Sequence, residues 1–524
     1  MSPWRNSWKN GRFLMVKIEH LIIQAGGKGT RMGYLAENKP KCLVSVRGKT
    51  LLYSLSDVFS MADFYIISDY KNDILERYLK TVLPKFTYTL IKVQEKGTCA
   101  GIQEARNLIP RGKPFAVVWS DLLFDKEIKI PISLLDKNCI GLTNKIKCRW
   151  SYKNEHLIEF PSEKSGILGF FYFGKPSAIP QIPSKGEFVR FLSEKVKKLN
   201  PLWIEKVHEI GTLDSFKKIG IQEVNSRFFN SVEFDEEIVR KKAKDKSFKN
   251  LLEDEAKWYK YVLTHGFKHV PKIYRLNPYL EMEKINGRHP YEFNDIDRNS
   301  KKKILEKILI SLNELHSIDS VKYSKKISDE VYIEKTLKRI FKVSSLIPKN
   351  KAEYYIVNGT KVRNLLNKKY TGNIQRLVNS MKLPENFTVI HGDPTFSNIK
   401  INCITDNPVF FDPRGYFGSL KIFGDPLYDF AKLYYSVVGN YDQFNQRNFK
   451  VHISGYKVDI EIKSNGWEDC LEMFAERVGK EMREIKILHA LIWLSLAGYV
   501  LDDFDSIVGS YFHGLELFEE ADQG

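Results

Sequence analysis

Cysteine is sparse and unclustered in this chain. The six cysteines, Cys42, Cys99, Cys139, Cys148, Cys403 and Cys470, form no CxxC pair and no zinc-ligand spacing. A disulfide framework is not expected at this length, which points to a reducing, cytoplasmic setting. Long apolar runs are missing too. The longest, Ala490 to Leu501, is too short to cross a bilayer and reads as a buried helix, so no membrane insertion is expected. The opening MSPWRNSWKNGRFL lacks the apolar core and cleavage site of a secretory leader. Residues 1–14 read as an extension, with Met15 as a second candidate start before the first strand. Low-complexity tracts and repeats are absent, which excludes solenoid and fibrous architectures. No nucleic-acid-binding motif accompanies the formal charge of +18. The excess of Lys and Arg therefore reads as solvated faces plus pockets for anionic nucleotides, not as a nucleic-acid surface.

The chain has 524 residues, 43% of them hydrophobic and 13% aromatic. That is too long for one ordinary core and rich enough for two or three. The strongest local signal is IHGDPTFSNI, Ile390 to Ile399, followed by VFFDPRG, Val409 to Gly415. Phosphoryl transfer needs an alcohol hydroxyl held in line with a γ-phosphate, and magnesium bridging the phosphates. Asp393 on a short loop suits the hydroxyl. Asn398, five residues on, and Asp412, at the end of the next apolar run, suit the metal.

A second phosphate signature opens the chain. IEHLIIQAGGKGTRMG, Ile18 to Gly33, is an apolar strand entering a glycine-rich turn. Gly26, Gly27 and Gly29 allow close backbone approach to phosphates, and Lys28 and Arg31 add charge. It is not a Walker A loop, because Gly29 follows Lys28 where Ser or Thr is needed. It is not a dinucleotide fingerprint either, since Met32 stands where the last glycine belongs. Downstream, Lys39 and Lys41 precede a strand and a helix. Gly97 and Thr98 form a turn that opens a helix and suits packing against a base or sugar. AVVWSDLLFD, Ala116 to Asp125, is a buried-type strand that brings Asp121 to its carboxyl end, which in an open α/β sheet faces the ligand crevice. Strand and helix patterns alternate throughout, which predicts a doubly wound α/β sheet.

With these motifs in order, residues 18 to 220 resemble the sugar-phosphate nucleotidyltransferase superfamily. GGKGTRM, PKCL, EKGTCAGI, WSDLLFD, SGILGFFYF and HEIGTLDSFKK correspond to its successive motifs. The resemblance implies that Gly26, Gly29 and Arg31 hold a triphosphate, that Lys41 contacts the incoming phosphate, and that Asp121 binds Mg2+. Glu209 stands where many members carry a second metal-binding Asp. A Glu there is reminiscent of phosphocholine cytidylyltransferases, whereas the Gly-Thr elements look sugar-type.

Beyond residue 221 the pattern changes. FNSVEFDEEIVRKKAKD reads as two short strands around a turn ending in Lys241 and Lys242. NLLEDEAKWYKYV reads as a helix with Glu255 on its polar side. A strand Lys paired with a helix Glu is how kinases position ATP phosphates. ILEKILISLNELHSI reads as an amphipathic helix. The region resembles the aminoglycoside phosphotransferase and choline kinase superfamily, with its bilobal protein-kinase-like α+β fold. HGDPTFSN, FFDPRG, GDPLYDFAKL and NELH carry the match. The resemblance makes Asp393 the catalytic base and gives Asn398 and Asp412 to Mg2+. It places Lys241, or less favourably Lys242, on ATP phosphates beside Glu255. Asp429 would brace the loop, and His391 would be structural. Two departures stand out. Ser226 to Glu233, where a nucleotide loop is expected, contains no glycine, and Asp412 is followed by Pro-Arg-Gly instead of the acidic-aromatic continuation of choline kinases. Arg414 is open to an anionic or polyhydroxyl substrate, or to a local carboxylate.

The expected domains are 15–220 and 221–524. The expected substrates are ATP, a second NTP (CTP, UTP or GTP) and a small sugar or alcohol. Kinase then nucleotidyltransferase gives an NDP-sugar; the alternative is a CDP-alcohol from choline, ethanolamine or glycerol. In a further alternative, one half is a degenerate binding or regulatory domain.

Overall fold

The computed structural model describes residues 15–82, 84–220, 230–243 and 249–523. The expected extension 1–14, the boundary near residue 221 and the start of the Ser226–Glu233 segment lie outside the described residues. The chain divides into two compact units, 1–222 and 223–524. Among the described residues, no helix is long and apolar enough to cross a membrane.

The first unit is built on a sheet whose middle is parallel. Strand His20–Gln24 pairs in parallel with Asp63–Ser68 on one side and Phe115–Trp119 on the other, and Tyr88–Lys92 continues beyond Asp63–Ser68. The strands are near-continuous apolar runs, as strands covered on both faces must be. The chain builds outward from the first strand, then returns past it to lay down Phe115–Trp119. The order therefore reverses between His20–Gln24 and Phe115–Trp119. Ligands of open α/β sheets bind at such a reversal, beyond the carboxyl ends of the strands.

The sheet departs from a purely parallel one. Gly166–Phe173 runs antiparallel to Phe115–Trp119 and to Asn138–Thr143. No helical crossover precedes it. The chain turns back instead through the hairpin Ser151–Lys153 with His156–Ile158, and a return by hairpin gives antiparallel pairing. Phe115, Phe171, Phe173, Phe188 and Leu192 are buried together beneath this part of the sheet.

The second unit is α+β. A four-stranded antiparallel sheet has the order Asn230–Phe234, Ile238–Ala243, Leu280–Glu283, Ile273–Arg275. Helix Lys249–Thr264 lies in the chain between Ile238–Ala243 and Ile273–Arg275 and buries Trp258, Tyr259 and Val262. The remainder is mainly helical, with Arg298–His316, Pro426–Val437, Met482–Ala497 and Phe504–Gln523 as its long members. The apolar run expected as one buried helix, Ala490 to Leu501, ends its helix at Ala497. Gly498 stops it, and a Cβ there would lie 2.4 Å from the Arg339 carbonyl oxygen. Tyr499 just beyond is exposed. A further four-stranded sheet was not foreseen from the sequence: the hairpins Tyr354–Val357 with Thr360–Arg363 and Phe449–Ser454 with Lys457–Ile462 join through a parallel pair between Tyr354–Val357 and Lys457–Ile462.

Candidate active sites

In the first unit the carboxyl ends of the two strands at the reversal carry the glycine-rich turn and Asp121. Gly29 has φ 66°, and a Cβ there would stand 3.1 Å from Ala36 Cβ and 3.2 Å from Lys41 Cβ, so the turn folds directly onto Lys41. Lys41 is buried, with Nζ 2.5 Å from Asp121 Oδ2. Glu209 reaches the same point by a different route. Val207–Glu209 pairs antiparallel with Leu122–Phe124, setting Glu209 opposite Leu122, and the Ile210 N–H donates to the Asp121 carbonyl at 2.8 Å. Gly211 leaves the space between carboxylate and guanidinium open: a Cβ there would lie 2.9 Å from Glu209 Oε1 and 3.5 Å from Arg31 Nη2. Burial, and then the charge of Asp121, push the Glu209 carboxyl up, against the pull of Lys41 and Arg31. Arg31, Lys41, Asp121 and Glu209 thus form one cluster of two cations and two carboxylates.

Gly27 faces open space, and Lys28 and Gly29 line a depression of about 230 Å3 with Thr30, Glu37 and Tyr70. Gly97 and Thr98 are held at the same edge of the sheet by a residue that the sequence did not single out. Gln24 Nε2 donates to the carbonyls of Thr98 at 2.9 Å and Ala100 at 3.1 Å. Gly97 has φ 105° and packs on Gly186, while Thr98 Oγ1 accepts the Phe188 N–H at 2.8 Å. The Thr98 side chain therefore secures the start of helix Phe188–Lys195. Gln24 and Gly186 carry no motif of their own; only the paired register of strand and turn reveals them.

In the second unit, Lys241 and Glu255 are both buried, with Lys241 Nζ 2.7 Å from Glu255 Oε1. Glu255 was expected on the polar face of its helix, and this ion pair is what takes it inside. Lys241 also meets Asp412. Burial pulls the Lys241 ammonium down, but Asp412 and Glu255 outweigh it and raise its pKa. Lys242, on the opposite face of the strand, turns instead to Glu233 at 2.9 and 3.0 Å.

Asp412 has φ 59°, an uncommon conformation for a non-glycine residue and one often stored at functional sites. Its N–H donates to Tyr259 Oη at 3.3 Å, and the Phe411 N–H donates to the Asn398 carbonyl at 3.0 Å, which ties Asp412 to the loop. Asn398 Nδ2 donates to the Asp393 carbonyl at 2.7 Å and to Asp393 Oδ2 at 3.1 Å. Asp393 Oδ1 lies 3.0 Å from Lys432 Nζ. Asp429 is buried and accepts the N–H groups of His391 at 2.8 Å and Gly392 at 2.7 Å, with His316 Nε2 3.1 Å away. His391 is buried, reaches the Phe411 carbonyl at 3.1 Å and takes the Asp393 N–H at 3.3 Å. Burial keeps its pKa low, so it stands neutral inside the loop.

Both clusters suit Mg2+ bound by one or two protein groups and completed by phosphate oxygens and water. Among the described residues, no group of three or more His, Cys, Asp or Glu is placed to hold a metal alone. Asp121 with Glu209, and Asp412 with Asn398, are such partial sets.

Fold and sites together place one cluster of basic and acidic side chains in each unit, of the kind that phosphate transfer uses. Two family models then give the particulars. The MobA-like NTP transferase domain matches residues 21–128. The phosphotransferase enzyme family (APH) matches residues 216–451. The first unit is thus similar to a nucleotidyltransferase domain and the second to a kinase-like phosphotransferase domain, each family model matching less than half of the chain. The bifunctional protein GlmU of Methanococcus maripaludis is 27% identical over 125 residues, 24% of this chain and 29% of that protein, so less than a third of that relative's length is spanned. Among solved structures, HddC from Yersinia pseudotuberculosis aligns with 21% identity and a TM-score of 0.33, over 39% of this chain and 99% of its own. CTP:phosphocholine cytidylyltransferase from Streptococcus pneumoniae aligns with 18% identity and a TM-score of 0.32, over 39% and 98%.

Proposed function

We propose that the chain is a bifunctional enzyme that phosphorylates a small hydroxyl compound with ATP and then joins that phosphate to a nucleotide. The observation that carries this is the presence of two separate phosphate-handling clusters, Lys41–Asp121–Glu209 and Lys241–Glu255–Asp412 with Asp393, in one chain.

In the second unit, Asp393 accepts the proton of the acceptor hydroxyl as its oxygen attacks the γ-phosphorus of ATP, and the bond to the β-phosphate oxygen breaks to release ADP. Lys241, fixed by Glu255, holds the α- and β-phosphates. In the first unit, an oxygen of the new phosphomonoester attacks the α-phosphorus of a CTP, UTP or GTP, and pyrophosphate leaves. Arg31, the glycine-rich turn and Lys41 hold the phosphates, and Gly97 and Thr98 face the nucleoside. Asp121 with Glu209, and Asp412 with Asn398, would hold Mg2+, which would neutralise charge at the phosphates. The setting is the cytoplasm.

The favoured product is an NDP-sugar, supported by the sugar-type EKGTCAGI and EIGT segments and by the Pro-Arg-Gly after Asp412. Glu209 favours the second reading, a CDP-alcohol. The test supplies the full chain with ATP, each NTP and a panel of free sugars, glycerol, choline and ethanolamine, and searches for NDP-linked products by mass spectrometry. CDP-choline or CDP-ethanolamine alone would overturn the sugar reading. Two activities on unrelated substrates would overturn the coupled sequence.

A further inference from the structure

Beside Asp393 lies a group of cations that no motif announced. Lys335 and Arg339 sit one turn apart on helix Lys335–Lys342, so they share a face. Lys432 sits one turn beyond Tyr428 on helix Pro426–Val437. Arg414 follows Asp412 by two residues. These four come from three chain segments and converge on one tyrosine. Arg414 Nη1 donates to Tyr428 Oη at 3.2 Å, and Lys335 Nζ lies 5.3 Å from the centre of the Tyr428 ring. Arg414 also covers Tyr416 at 4.9 Å, Arg339 covers Tyr499 at 5.3 Å, and Lys432 covers Tyr435 at 5.2 Å.

The charge in this group is not balanced by protein. Among the described residues, the only carboxylate within ion-pair distance of any of the four is Asp393, 3.0 Å from Lys432. The imbalance registers on the groups themselves. Lys335 is pulled down to about 7, by burial first and by Arg414, Arg339 and Lys432 after it, against Tyr428. The Tyr428 phenol, which burial alone would push up, is brought down to about 7 by Lys335, Lys432 and Arg414. Partly buried like charges held this close are costly unless an anion joins them.

We infer that the hydroxyl acceptor of the phosphotransferase unit is itself an anion, a hydroxy acid or a phosphate ester with a free hydroxyl, whose charged group is held by Lys335, Arg339 and Arg414 while its hydroxyl meets Asp393. This rests on the kinase reading above and narrows it. A quaternary ammonium or amino alcohol would meet Arg339, Arg414 and Lys432 as cations with Lys335 beside them, whereas the aromatic rings that would cage such a group are each already covered by one of these side chains. Pairing by Arg and Lys suits carboxylate or phosphate equally, so both belong to the class.

The test uses four probes that keep a small hydroxylated frame and change its charge: choline, glycerol, D-glycerate and glycerol 3-phosphate. Binding to the full chain is measured by calorimetry, and ATP consumption by ADP release. D-glycerate and glycerol 3-phosphate should bind at least tenfold more tightly than glycerol or choline. Lys335→Gln with Arg339→Gln should erase that difference and leave the KM for ATP within twofold. Arg339→Lys, which keeps the charge, should preserve the difference and guards against a folding defect in the double variant. Equal binding of all four, preference for glycerol or choline, or retention of the preference in the double variant overturns the inference. So does a rise in the KM for ATP in the double variant, which would assign the cations to the nucleotide. The expected binding order with no ATP consumed on any probe would uphold the anionic site and overturn the placing of the bound hydroxyl at Asp393.

Discussion

Lys241 Nζ donates to Glu255 Oε1 at 2.7 Å, joining a strand to the helix that follows it, and both side chains are buried. The contact fixes the lysine without consuming it, because two further N–H bonds of the ammonium remain for Asp412 and for phosphate. Glu255→Gln should leave Lys241 drawn toward Asp412 and misplaced. ATP turnover should fall about 10²-fold. Pyrophosphate release from a supplied phosphomonoester should be unchanged. Undiminished ATP turnover would make the pair structural only.

Asp393→Asn should remove phosphorylation by roughly 10²–10⁴-fold, the range of acid–base assistance. The amide can still meet Asn398 and Lys432, so folding should survive. Nucleotidyl transfer to an added phosphomonoester is expected to persist. Kinase turnover comparable to wild type would remove Asp393 from the reaction.

The reverse separation is expected of Asp121→Ala. Lys41 loses a partner at 2.5 Å, and Glu209 is left as the one carboxylate of the cluster. Pyrophosphate release should stop at any Mg2+ concentration, and ATP use by the second unit should continue. Transfer restored by saturating Mg2+ would place the metal ligand elsewhere.

Gly97→Ala should damage the first unit alone. Its φ of 105° disfavours any side chain, and the new Cβ would lie 2.3 Å from the Gly186 carbonyl oxygen, a backbone atom with nowhere to move. A loss of about 1–3 kcal/mol is expected from the conformation alone. Thermal unfolding and pyrophosphate release would both report it. A variant matching wild type in both would mean that the two glycines are not in contact.

Asp442 gives a pH signature. It is buried beneath the catalytic loop, accepts the Ser397 N–H at 2.9 Å, and is pushed up to about 6 by burial, against hydrogen bonds from Ser436 and Ser397. Its folded pKa thus stands above the ordinary Asp value. The folded state binds the proton more tightly, so the contribution of Asp442 to stability is fully present below about pH 4 and lost as pH rises to about 6. Asp442→Asn keeps an acceptor for Ser397 and removes the charge. Denaturant unfolding should find the variant gaining on wild type by on the order of 3 kcal/mol between pH 4 and 7. A constant difference across that range would show that the carboxyl titrates normally.

The parts of the two sites that were legible in the sequence are those held together by the local chain. Asp393, Asn398 and Asp412 lie within twenty residues, and a loop followed by a strand pair brings them together. The glycine-rich turn and Asp121 lie far apart in sequence, but each ends an apolar strand, and parallel strands align their ends. Gln24, Gly186, Lys335, Arg339 and Lys432 were not read. Each sits in an ordinary helix, strand or loop, and its role arises only from side chains that meet across tens of residues. The segment SGILGFFYF was matched as a motif, but the direction of the strand Gly166–Phe173 depends on a hairpin return that its composition does not encode.

Helix Pro426–Val437 secures the catalytic loop through Asp429 and, from neighbouring positions, presents Tyr428 and Lys432 to the cationic group. On the inference drawn above, selection on this helix acts on loop geometry and acceptor preference at once, and a change that retunes one disturbs the other. Lys335 and Arg339, carried by a different helix, are free of that double constraint. A lineage adopting a new acceptor, or a laboratory selecting for one, has its accessible route through those two positions.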